Sequence, residues 1–250
     1  QYRSVDELQL PGLSEERRLV FVSGLAILIS IFESLEVQAM GLAGGALCEG
    51  VLYNMIPQLQ RQDIRQRTID SFLTRYHVDT KQAERVACIA QLLLSQLKEQ
   101  WQLGDTEESL LTCAAMLHEI GLLIEYKQYP KHGAYILKNT DMPGFTRQQH
   151  SLVAQLVRFH KGDISEEAFE SLGANERLAS LLVRILRLAV TLSMRRKDDV
   201  LPELVLEEKK GEVTLYIDKQ WLGSHPLMLS ELQQEAIYQR NAGWKLTISQ

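Results

Sequence analysis

From about residue 58 to residue 197 apolar residues return every three or four positions, the period of a helix with one buried face. DIRQRTIDSFLTRY carries Ile64, Ile69, Phe72 and Leu73 at that spacing. TKQAERVACIAQLLLSQLKEQW opens on Thr80 as a cap and predicts a helix to Trp101. TEESLLTCAAMLHEIG has a loose capping pattern over Thr106 and Ser109 and stops at Gly121. HGAYILKN, FTRQQHSLVAQLVRFH and NERLASLLVRILRLAVTLSMRR predict three more helices. The last places Leu178, Leu181, Leu182, Ile185, Leu188 and Ala189 on an apolar face. After DDVLP the period falls to two, and ELVLEE and EVTLYI flank a KKG turn as a hairpin. A helix over 227–239 and the strand WKLTIS complete a small α+β tail.

Ahead of residue 58 the pattern differs. An extended lead with Pro11 and Gly12 precedes Ser14, an N-cap candidate followed by Glu15, Glu16 and Arg17. LVFVSGLAILISIF, from Leu19 to Phe32, predicts a buried helix reaching about Leu35; it is broken by Ser23 and Gly24 and too short for a bilayer. EVQAMGLAGGAL then predicts a strand over 37–42, a glycine pair and a helix opening at Ala46, with Pro57 closing the segment. The expected fold is mainly α, in three parts: 1–57, a helical domain over 58–200, and an α+β domain over 201–250.

Composition narrows the function more than the fold. Of 250 residues, 45% are apolar and 24% charged, with a formal charge of -5, so no global positive field recruits DNA or a membrane. Any anion-binding surface must be local. Cys48, Cys88 and Cys113 are scattered and odd in number, which excludes a disulfide framework and fits a reducing cytoplasm. QYRSVDELQL is no signal peptide and lacks an initiator methionine, which suggests an excised fragment.

Two motifs carry candidate chemistry. GLAGGALCEG follows the expected strand and opens the expected helix, where glycines let a ligand approach the backbone and free amides favour phosphate. In AAMLHEIG, His118 and Glu119 stand side by side, the pairing a hydrolytic metal site would use.

With SGLAILISIFESL, LAGGAL, DIRQRT, MLHEIG and KHGAYILKNTDMPGF in order, the chain resembles the carboxyl-terminal half of the exopolyphosphatase and guanosine pentaphosphate phosphatase family. SGLAILI, HEIGL, RRKDD and WLGSHPL look closer to the second branch, while VRFHK is similar to the first. The resemblance implies that residues 1–57 end an actin-like, ribonuclease H-like domain and that an HD-like helical domain follows. It also implies an amino-terminal half that carries the catalytic carboxylate and Mg²⁺. Gly44 and Gly45 match the glycine turn that lies against phosphate in actin-like folds; Cys48 stands where the family usually has arginine.

A working HD site, by the same resemblance, needs a first histidine, a His-Asp pair and a distal aspartate. This chain offers Gln82, the pair His118 and Glu119, and Val190. Gln82 is a poor neutral ligand and Val190 is none, so no resident metal and no catalytic residue are expected here. His118 and Glu119 are then the remnant of a metal site, kept for packing or for anion contact, with His132 and His160 as possible neighbours.

Polyphosphate and pppGpp are polyanions and require convergent cations. The candidates are Arg65 and Arg67 with Arg61, Lys127 and Lys131 with His132, Arg158 with Lys161, and Arg195 and Arg196 with Lys197. Three functions compete: a substrate-gripping, homodimer-building part of a pppGpp or polyphosphate phosphatase, a free-standing metal phosphohydrolase, and a pure dimerisation module.

Overall fold

The computed structural model describes residues 10, 13–41, 64–164, 169, 172, 175–198 and 201–249. The chain divides into two compact units, residues 1–55 and 56–250.

In the first unit, α1 (Glu15–Ser34) begins at Ser14, whose extended backbone makes it the N-cap although its side chain makes no capping bond. The expectation of a buried helix is corrected: no residue of α1 is buried, and Leu19 is 71% and Ile27 62% exposed. Its apolar residues lie on all sides of about 21 Å of cylinder from Leu19 to Phe32, and burying them takes a covering surface that the described residues of its unit do not supply. The expected strand over 37–42 is also absent from its described part, since residues 37–41 have no regular structure. A strand lives on its ladder partners, and none pairs with these residues. Residue 42, the Gly44–Gly45 turn, Cys48 and the helix expected from Ala46 lie outside the described residues.

The second unit is built around helices. They are α2 (Ile64–Arg75), α3 (Thr80–Leu97), α4 (Asp105–Leu117), α5 (Tyr129–Lys138), α6 (Arg147–Phe159) and α7 (Glu176–Leu192). A 3-10 turn over Ile120–Leu123 joins α4 to α5. Asp79, not Thr80, caps α3, accepting a bond from the Gln82 amide at 3.1 Å. α3 ends at Leu97, four residues short of Trp101. Thr146 and Gln149 form a reciprocal capping box at the start of α6, at 3.2 and 3.1 Å.

Packing follows the apolar stripes. Ala83, Val86, Ala87, Ala90, Leu93, Leu94 and Leu97 bury one face of α3 against α4 and α7. α7 is the central helix, with Leu182, Val183, Ile185, Leu186, Leu188 and Ala189 all fully buried. α5 packs on α6 and on the 3-10 turn.

The tail shares this core. β1 (Leu204–Lys209) and β2 (Glu212–Ile217) pair antiparallel, with Leu206 opposite Leu215. Lys210 and Gly211 both have positive φ, at 53° and 82°, the primed turn that matches strand twist. α8 (Lys219–Ser224), which the hydrophobic period does not announce, and α9 (Pro226–Asn241) lead to β3 (Lys245–Ser249), parallel to β2. β1 packs on α3 and α9 on α7.

Candidate functional site

The HEIG motif sits where α4 stops. His118 is the C-cap of α4, and His160 is the C-cap of α6. Each ring turns Nδ1 to the carbonyl three residues back, Ala115 and Val157, both at 2.7 Å. With Nδ1–H donating, Nε2 of His160 is left as the acceptor for the Tyr129 hydroxyl at 3.1 Å. The two rings meet edge to face with centroids 5.4 Å apart. Burial pushes both imidazoles below the usual histidine value, His160 the further because His118 lies beside it. Both are therefore neutral near pH 7.

The sign of the linkage is fixed by that depression. The unfolded chain takes up these protons first, so their contribution is complete above about pH 6.5 and is lost as pH falls towards the folded values. Each histidine should remove up to about 1.4 kcal/mol of stability per pH unit in that window. Urea midpoints measured from pH 7.5 to 5.5 should fall accordingly. In His160→Gln, which keeps an acceptor for Tyr129 but cannot titrate, the slope should drop by about half. An unchanged slope would mean that other groups dominate.

Glu119 is 8% exposed and faces a guanidinium. Arg196 holds it in a two-point fork, Nη1 to Oε1 at 2.6 Å and Nη2 to Oε2 at 2.8 Å, and reaches Asp79 at 3.1 Å. The Gln82 backbone amide and Arg196 hold the Asp79 carboxyl below its usual range. The Gln82 side chain donates to the Ser193 carbonyl at 3.0 Å, and Val190 packs on the apolar core. These residues do not fit a divalent ion. Both Glu119 oxygens are engaged, Gln82 is committed, and Val190 has no donor atom. Among the described residues no three His, Cys, Asp or Glu side chains converge as a metal site. The counter-charge for Glu119 is Arg196.

Beside the histidine pair lies a cavity of about 590 Å³. Lys127 and Lys131 come from the first turn of α5 and its approach, Arg158 from the end of α6, and Lys161 from the loop after it. Asp163 is the one carboxylate among its described lining residues. Tyr126 and Tyr129 supply aromatic surface, Tyr126 being 77% exposed. Arg158 lies over the Phe159 ring at 4.9 Å, and burial lowers its pKa without discharging it. The 159–162 loop is anchored from below by Arg187, which donates to the carbonyls of Phe159 at 2.7 Å and Gly162 at 2.8 Å. Four cations on a walled groove can hold a chain of phosphates by charge-assisted bonds.

Residues 1–59 and 64–236 match family models for the Ppx/GppA phosphatase family and for Ppx/GppA phosphatase domain III. The chain belongs to the Ppx/GppA phosphatase family. Relatives named guanosine-5'-triphosphate,3'-diphosphate pyrophosphatase place it on the guanosine pentaphosphate phosphatase branch. That of Pseudoalteromonas translucida is 57% identical over 249 residues, 99% of this chain and 50% of the relative. That of Pseudoalteromonas atlantica is 45% identical, covering 98% of this chain and 49% of the relative. That of Aliivibrio fischeri is 43% identical, covering 99% and 50%. The chain thus spans about half the length of the curated relatives it matches. No helix among the described residues is long and apolar enough to cross a membrane.

Within this Ppx/GppA domain the cations singled out in the sequence go to different places. Lys127, Lys131, Arg158 and Lys161 converge on the groove. His132 turns towards Glu125 at 3.7 Å. Arg65 ties α2 to the loop before α6, donating to the Gly144 carbonyl at 2.9 Å and Gln149 at 3.1 Å, with Phe145 beneath it. Arg67 is half-buried on the same helix. Arg196 is engaged by Glu119, whereas Arg195 and Lys197 line a separate cavity. Gly44, Gly45 and Arg61 are outside the described residues. The groove tyrosines show in the sequence only as the alternation of aromatic and cation in EYKQYPKH.

Proposed function

We propose that this chain is the carboxyl-terminal part of a phosphatase that removes the terminal phosphate of pppGpp, yielding ppGpp, and that its groove grips the substrate's phosphates. The observation that carries the reading is the convergence of Lys127, Lys131, Arg158 and Lys161 on one walled surface, in a chain whose relatives are named for that nucleotide. Lys127 and Lys131 line the groove; the other contacts proposed from sequence, Gly44, Gly45, Arg65, Arg67, His132, Arg195 and Arg196, are not among its described lining residues. Transfer of the terminal phosphoryl group to water is assigned to an amino-terminal half carrying a carboxylate base and Mg²⁺. This chain's residues hold and orient the polyanion and carry no catalytic group. The helical arrangement is read as an HD-like domain whose metal set has been replaced, following an actin-like end. A cytoplasmic homodimer completes the proposal.

Inorganic polyphosphate is the second reading, favoured because Arg158 and Lys161 of VRFHK line the groove and bind phosphate without regard to a base. The test is steady-state hydrolysis of both substrates by the chain joined to its amino-terminal half. Lys127→Glu combined with Lys161→Glu should raise KM by about 10- to 100-fold with a smaller change in kcat, since two charge-assisted contacts are reversed. The chain alone should hydrolyse neither substrate. An unchanged KM for both would remove the groove from substrate binding.

A further inference from the structure

A second cavity, of about 490 Å³, opens where α3, the end of α7 and α8 meet, apart from the basic groove and sharing none of its described lining residues. Its wall is apolar, formed by Ile89, Leu192, Leu201 and the indole of Trp221. Its rim is basic: Lys81 from α3 and Arg195 and Lys197 from the segment after α7. Among its described lining residues the carboxylates are Glu84 and Asp198, and Asp198 is already held by Arg85 at 2.6 Å.

Two features fix this arrangement in advance of any ligand. The indole of Trp221 is stacked on His225, with centroids 4.1 Å apart and planes 17° from parallel. His225 is itself bonded through Nδ1 to the Trp221 carbonyl at 2.8 Å, so the aromatic plate is held in place. On the rim, Arg196 has φ of 53° and is pinned inward by Glu119 and Asp79. Its neighbours Arg195 and Lys197 line the cavity instead.

An apolar wall with a fixed aromatic plate accepts a flat ring system; a cationic rim accepts phosphate. The volume lies within the roughly 300–1,000 Å³ usual for small-molecule sites. We propose that this cavity is a second ligand site that takes a purine nucleoside di- or triphosphate, the base against Trp221 and the phosphates on Lys81, Arg195 and Lys197. It goes beyond the groove reading and does not depend on it.

Cys88, exposed and lining the cavity, is a built-in reporter. The experiment is alkylation of Cys88 by N-ethylmaleimide in the purified protein, followed by peptide mass spectrometry. GDP at about 1 mM should slow the reaction about tenfold or more, whereas guanosine or tripolyphosphate at the same concentration should slow it less than about twofold. Lys197→Ala, at an exposed position, should raise the GDP concentration for half-protection about tenfold. Lys127→Glu combined with Lys161→Glu in the groove should leave protection unchanged, which separates this site from the proposed substrate site. No slowing by GDP, equal slowing by tripolyphosphate alone, or protection undiminished in Lys197→Ala would each overturn the proposal.

Discussion

Arg187→Ala should lower the unfolding free energy by about 3–5 kcal/mol, seen as a fall in the urea midpoint. Arg187 has no exposed surface and makes four short hydrogen bonds. Nε and Nη2 pair with the Glu235 carboxylate at 2.7 and 2.8 Å, two carbonyls accept from Nη1 and Nη2, and Tyr238 lies 5.5 Å from its carbon. Gln239 adds a further bond to Glu235 at 2.9 Å. Truncation leaves a buried carboxylate without its partner, which is the expensive half of breaking such a pair. Arg187→Met combined with Glu235→Leu removes both charges together and should recover most of the loss. The loop carrying Lys161 would still lose its two carbonyl anchors. Groove affinity should therefore stay reduced in the double variant while stability returns, a split that separates the two roles of Arg187.

Gly121→Ala is the second large effect, about 3 kcal/mol, near the upper end for overpacking. A Cβ at this position would lie 2.0 Å from the Tyr129 carbonyl oxygen and 2.5 Å from the Gly133 nitrogen. Both obstacles are backbone, so no rotamer change relieves them and the first turn of α5 must move. That turn presents Lys131 and follows directly on Lys127, so affinity for phosphate should fall along with the melting temperature. Gly223→Ala is the control. A Cβ there meets nothing within 4 Å, and its stability should be unchanged or slightly raised. If the two variants melt together, the close approach of the HEIG turn to α5 is not what holds this region.

Much of the second unit is legible from period alone, because most of its helices bury one stripe; central α7, buried on every side from Leu182 to Ala189, is the exception. The hairpin is legible for the same reason, with Leu204, Leu206, Val213, Leu215 and Ile217 alternating inward. What escapes is whatever depends on a partner. α1 reads as buried because it is apolar, yet burial needs a surface to cover it, and the described residues of its unit provide none. Val37–Gly41 has strand-like composition without a ladder to join.

The site divides along the same line. Each cationic run is visible in sequence, but the packing of α5 on α6 decides that Lys127 and Lys131 meet Arg158 and Lys161. In Arg195, Arg196 and Lys197 three adjacent cations look equivalent; a left-handed residue sends the middle one to Glu119 and leaves the outer two on another surface. Arg184 and Arg187, three apart within an apolar helix, carry no sign in the sequence of the partners they meet. Burial makes them its most consequential polar residues, Arg184 bonding Gln239 and the Lys245 carbonyl with its pKa pushed down to about 10.

The Arg196 fork ties the capping residue of α3, the end of α4 and the end of α7 into one knot. A junction fastened by a metal ion can be loosened by a chelator. One fastened by a guanidinium has no such release, because that group neither leaves nor gives up its proton under cellular conditions. This corner is welded rather than latched for as long as its two carboxylates stay ionised.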